Sequence, residues 1–456
     1  MNRMEEYETL LARLEEIPLS DPVAKATKRK KRSDHLKRIT ASIMVVFCMF
    51  VSLINLSPTV SAACRELPFL KELVERLTFN PSLRIALEHD YVQMVGLKQT
   101  KDGVTGRVEY LIVDQKQVNI FFTVTSDVHG YLDVTPEING ADGPLRYGMT
   151  YGSPGEEDDE LRHITVDFLD EDVPDYMQLT LRLRDVGSRY GLAEAPTAQL
   201  GDDWPDHEEP EVFTELIFDL YFDPQYTAQG KTVVLNTPVE LDGQRITITD
   251  MEIYPTHMRI NVQEDEKNTA WLKSLRFYLE LENGSKIETI SNGISATGSQ
   301  DTPSMVSYRA ESSYFYNADC IRMYITSADF LDKNKENVYI NFQTLESDPL
   351  PQGVRLHAAE ETQTGTKLTF LVETSDIDHV QLLNSTYYDL DGNEYHCGSW
   401  SCSTVFYDET TMEEVKGWGD ETYFLEGFHE KEAMFKVHYT HFWIPEEPLV
   451  IELTGY

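Results

Sequence analysis

No phosphate-cradling glycine loop, no Gly-x-Ser-x-Gly elbow and no His-Glu-x-x-His pair occurs in the 456 residues. The common nucleotide, serine-hydrolase and zinc-protease chemistries therefore have no carrier. Neither catalytic residues, nor a cofactor, nor a metal site is expected. Cysteine is scarce, with five in the chain at positions 48, 64, 320, 397 and 402. Only HCGSWSC, His396 to Cys402, has suggestive spacing. A disulfide between Cys397 and Cys402 and a pair of free thiols are both open there, the former if the chain turns back in an oxidising compartment. The acidic runs DLDGNE, Asp389 to Glu394, and GEEDDE, 155–160, do not complete a twelve-residue calcium loop. In the first, Asp391-Gly392 reads as a hairpin turn.

Basic residues are also few. Lys and Arg number 39 against 78 Asp and Glu, a net charge of −39. Residues 1–38 carry ten basic and seven acidic side chains, which leaves 29 against 71 in the rest of the chain. So acidic a surface repels nucleic acid, and no direct nucleic-acid binding is expected.

Long uncharged runs are limited to one, ITASIMVVFCMFVSLINL, Ile39 to Leu56, directly after the basic stretch Lys28 to Arg38. As a helix it would span about 27 Å, near the roughly 30 Å hydrocarbon core of a bilayer. With the basic flank on its N-terminal side, the expectation is a single transmembrane helix over 39–57. This implies a cell-membrane protein in contact with membrane lipid, with residues 1–38 cytoplasmic and the part after about Ala63 extracellular. A cleaved signal peptide fits less well, because the apolar run begins later than such signals do.

Helical periodicity is confined to the first ninety residues. Tyr7, Leu10, Leu11, Leu14 and Ile17 line one face of a short helix ended by Pro18. One stripe cannot form a core alone and calls for a partner. The segment 64–90 reads as a helical neck, with Asn80-Pro81 as cap and first-turn proline.

Beyond Val92 the period changes to two. VTGRVEYLIVDQKQVNIFFTV, Val104 to Val124, reads as two strands joined at Asp114-Gln115-Lys116. Similar openings follow at Val239 to Val262 and Val354 to Glu373, and alternating strands close each unit at 213–224, 336–345 and 447–456. The expected fold class is mainly β, with three tandem β-sandwich domains at 83–224, 232–345 and 351–456 after the N-terminal helix and the single span.

The order of charged N-terminus, basic run, apolar run and EHDYVQMVGLKQTKDGVTGRVEYLIVDQKQVNIFF, Glu88 to Phe122, resembles Firmicute membrane proteins of the domain of unknown function 4179 family. NTPVELDGQRITITDMEIYPTHMRI, Asn236 to Ile260, resembles a companion immunoglobulin-like domain. The resemblance implies an anti-sigma factor that sequesters an extracytoplasmic-function sigma factor; the periodic stripe Tyr7, Leu10, Leu11, Leu14 and Ile17 is then the expected partner-binding surface, and the β-domains are expected to meet an extracellular ligand. Residues 1–38 hold His35 and no cysteine, so a zinc-bearing anti-sigma site is not implied. A binding or display protein with no sigma-factor partner is the alternative.

Overall fold

In the computed structural model the described residues run from 80 to 453, apart from 90, 131, 142, 153–160, 170, 186–210, 225–226, 228, 291–292, 317–320, 375–380 and 408–412. They begin with helix α1 (Pro81–Glu88), where the Asn80 side chain accepts from the Leu83 N–H at 3.0 Å and Pro81 fills the first helical position. The sequence expectation of a single-pass fold and cell-membrane localisation is corrected here. Among the described residues no helix is long and apolar enough to cross a membrane. α1 covers about 12 Å at the helical rise, far short of a bilayer core. The expected span 39–57, the 1–38 segment and most of the 64–90 neck lie outside the described residues.

The first sandwich comprises β1 (Gln93–Lys101), β2 (Val104–Val113), β3 (Gln117–Ser126), β4 (Leu132–Gly140), β5 (Gly143–Pro144), β6 (Tyr147–Tyr151), β7 (Arg162–Phe168), β8 (Tyr176–Asp185) and β9 (Val212–Tyr221). Its sheets run β1-β2-β3-β7-β6 and β5-β4-β8-β9, all pairs antiparallel. With β1 as an added edge, this is the A-B-E-D against C′-C-F-G order of an immunoglobulin sandwich. Alternate residues of both sheets, among them Val108, Ile120, Ile164, Leu181 and Leu216, fill one core. The second sandwich repeats the order with β10 (Lys231–Leu241), β11 (Gln244–Ile253), β12 (Met258–Glu264), β13 (Ala270–Leu281), β14 (Lys286–Glu288), β15 (Ala296–Gly298), β16 (Met305–Ala310) and β17 (Ile321–Asp332). Both units open on a two-residue Asp-Gly hairpin, Asp102-Gly103 and Asp242-Gly243, with all four residues at positive φ.

The third sandwich uses β18 (Asn337–Asn341), β19 (Glu346–Ser347), β20 (Val354–Glu361), β21 (Gly365–Glu373), β22 (Leu383–Tyr388), β23 (Glu394–His396), β24 (Ser399–Ser403), β25 (Trp418–Glu426) and β26 (Glu432–Val437). After it come β27 (His441–Trp443) and β28 (Leu449–Leu453). The closing strands of the second and third units are exchanged. β18 pairs with β26, and its Val338 and Ile340 enter the third core. β27 and β28 return to pair with β17, from Phe330↔His441 to Ile321↔Leu453, and Leu453 enters the second core. The chain changes cores between Phe330, in the second, and Leu331, in the third. The expected boundaries 232–345 and 351–456 therefore do not follow the pairing: the third sandwich is inserted between β17 and the strands that complete the second. Thr440 fixes the crossing, with its N–H donating to Phe330 O at 2.7 Å and its hydroxyl accepting from Asp332 N at 2.9 Å.

Candidate functional site

Two carboxylates of the first sandwich cross to the second out of contact with solvent, Asp114 to Thr256 and Asp167 to the guanidinium groups of Arg259 and Arg309. Asp114 directly follows β2, and its Oδ1 accepts from the N–H groups of Lys116 at 2.9 Å and Gln117 at 2.8 Å, which sets the β2–β3 turn. Its Oδ2 crosses to the second sandwich and accepts from the hydroxyl of Thr256 at 2.5 Å and its N–H at 3.2 Å. Asp167 on β7 accepts from Arg309 Nε at 2.9 Å and from Arg259 Nη2. Arg259 also donates to the carbonyls of Phe168 at 2.8 Å and Leu169 at 3.3 Å. Asp114 and Asp167 have no exposed side-chain surface, and Arg259 and Arg309 almost none.

The protons in this cluster run one way. Arg259 Nε donates to His257 Nε2 at 3.1 Å, so the neutral ring carries its proton on Nδ1 and directs it to Thr256 Oγ1 at 2.9 Å. The Thr256 hydroxyl then donates to Asp114. Burial, reinforced by the charges of Arg259 and Arg309, holds His257 well below the usual imidazole range. Burial also pushes the Asp114 carboxyl up, opposed by the hydrogen bonds from Thr256, Lys116 and Gln117. Each carboxylate oxygen here already accepts a hydrogen bond, so the cluster acts as a lock between two sandwiches. Removing one member leaves buried charge uncompensated, which typically costs about 3–5 kcal/mol.

The linker beside the lock is equally tight. Gly230 donates its N–H to Gln115 Oε1 at 3.1 Å, and a Cβ there would overlap the Tyr254 ring. Glycine lets the backbone pass.

The expected partner-binding residues Tyr7, Leu10, Leu11, Leu14 and Ile17 lie outside the described residues. Cys397 and Cys402 are free thiols, half-buried and exposed respectively. β24 is paired along β25, with Cys402 opposite Glu421 and Gly398 N–H donating to Phe424 O. Asp391-Gly392 does form the hairpin turn of β22–β23, with the Asp389 carboxylate held by Asn393 and Tyr395. Among the described residues no group of three or more His, Cys, Asp or Glu is placed to hold a metal ion. Sequence reasoning missed the lock. Its signal was arginine within the apolar strands MRINV and MVSYRA of an acidic chain, but nothing local names the partner carboxylates.

Comparison with known proteins places two modules on this frame. No curated protein matches the chain. The chain is similar to the crystal structure of the conserved domain protein from Bacillus anthracis, at 11% identity and a TM-score of 0.39 over 57% of this chain and 85% of that one. Residues 230–354, from the linker before β10 to the start of β20, match a family of unknown function, DUF5643. Residues 31–126, ending with β3, match the domain of unknown function DUF4179. The chain thus carries a DUF4179 domain over residues 31–126 followed by a DUF5643 domain over 230–354.

Proposed function

We propose that the chain is a regulator of the anti-sigma type. Residues 1–38 hold an extracytoplasmic-function sigma factor through the stripe Tyr7, Leu10, Leu11, Leu14 and Ile17, and the three sandwiches form the ligand-sensing arm. The observation that carries the reading is the DUF4179 match over residues 31–126, which begins within the basic stretch and runs through α1 to the end of β3. The Asp114–Asp167 lock supports it, because a charge cluster buried between sandwiches resists their rotation and suits an arm that relays a change of position.

Co-purification tests the reading. Burying a leucine is worth about 1.5–3 kcal/mol, so Leu10→Asp with Leu14→Asp weakens sigma-factor binding by several kcal/mol and raises expression of the regulon. If the double variant retains the partner at the wild-type level, or if no sigma factor co-purifies with the wild type, the reading fails and a binding protein without a sigma-factor partner replaces it.

A further inference from the structure

α1 starts with its donors divided between two owners. Pro81 has no N–H, Arg84 N–H donates to Asn80 O at 3.1 Å, and Leu83 N–H donates to the Asn80 side chain at 3.0 Å. The remaining first-turn donor, Ser82 N–H, goes to Glu311 Oε2 at 2.8 Å, 229 residues away in the second sandwich. The Ser82 hydroxyl donates to the same oxygen and accepts from Ser312 N–H at 2.6 Å. At the other end of the helix His89 stacks on Phe315 with centroids 4.1 Å apart, and Tyr91 meets Phe315 at 5.5 Å. Ser82, Leu83 and Ala86 are buried. The receiving segment Glu311 to Phe315 directly follows β16, whose last residues carry Arg309 of the lock and Ala310, paired with Met258 of β12. A helix this short is marginal in water, so its persistence depends on what holds its ends.

We propose that residues 311–315 of the second sandwich are a latch on α1, and that the second sandwich thereby governs the chain leading to residues 1–38. The carboxylate of Glu311 completes the first helical turn and suits the positive end of its dipole, while Phe315 fixes the last turn. A shift of β16 withdraws both contacts together and frees the helix, without disturbing the core of the first sandwich. This deepens the regulatory reading above, on which its consequence for a sigma factor rests; the latch itself does not require that partner.

Hydrogen exchange of the full chain, read by mass spectrometry without any sigma factor, tests it. Glu311→Ala should raise exchange of amides 82–89 at least tenfold while β2, β3, β11 and β12 keep their wild-type rates. Ser82→Ala, which removes the hydroxyl bridging Glu311 and the Ser312 N–H but leaves the Glu311 carboxylate on the Ser82 N–H, should give a smaller rise in the same peptides. Unchanged exchange at 82–89 in Glu311→Ala overturns the latch, as does an equal rise across β10 to β16, which would assign Glu311 to the stability of the sandwich. Failure of the co-purification with this exchange result intact would remove the sigma-factor reading and leave the latch.

Discussion

Truncating Leu453 should weaken the second sandwich and spare the third, although the third is nearer in sequence. Leu453 is fully buried among the side chains of the second core, opposite Ile321 on β17. Leu→Ala at such a site costs about 2–5 kcal/mol, and each 1.4 kcal/mol is tenfold in an equilibrium. Amides of β11, β12 and β13 that exchange through opening of that unit should therefore lose roughly thirty- to several-thousand-fold protection, while β21 and β25 keep theirs. The reciprocal variant, Ile340→Ala on β18, removes a side chain with no exposed surface from the third core and should reverse the pattern. Hydrogen exchange resolved by peptide distinguishes the two. If Leu453→Ala loosens β21 and β25 while β11 to β13 hold, each unit closes on its own following strand and the exchange described here is wrong.

Asp167→Ala strands Arg259 and Arg309 in the buried joint, and a urea titration should show a loss of about 3–5 kcal/mol, with Asp167→Asn milder. His257 binds a proton less readily when folded, because burial and the facing Arg259 and Arg309 disfavour its charge and outweigh the Asp114 carboxylate, 3.7 Å from its Nδ1. Its contribution is present above the unfolded value of 6.5 and is lost as pH falls from there toward the depressed folded value, so the urea midpoint should drop between pH 7 and 5. Half-buried His438, also shifted down by burial, acts in the same direction, and a His257→Gln variant should show a shallower slope. Cys402 is exposed, whereas burial pushes the Cys397 thiol up to about 11, so alkylation at pH 8 should label Cys402 first, and comparable rates at the two sites would contradict the placement of β24.

Much of the β architecture was legible because period-two alternation reports a half-buried strand whatever its partner. Val118, Ile120 and Phe122 mark β3, and Asp242-Gly243 marks the β10–β11 turn, through local chemistry alone. Asp102-Gly103 makes the matching turn, so β1–β2, not β2–β3, corresponds to β10–β11, one strand out of step with the repeat expected from Val104 to Val124. Alternation marks the closing strands but does not assign them to a unit. Four residues separate β17 from β18, enough for a hairpin, and the apolar faces of ENVYINF and LVIEL suit either core. Pairing over roughly a hundred residues is decided by side-chain fit that alternation does not encode. The lock was hidden for the same reason, since Arg259 and Arg309 meet Asp167 only after two sandwiches have folded and docked.

The regulatory reading is tested most directly by hydrogen exchange of the full chain with and without a purified extracytoplasmic-function sigma factor. Peptides covering Tyr7 to Ile17 should become protected when the partner is added, and the Leu10→Asp, Leu14→Asp variant should show no change. Exchange at 7–17 that is unaffected by the sigma factor, or protection that persists in the double variant, would contradict the account.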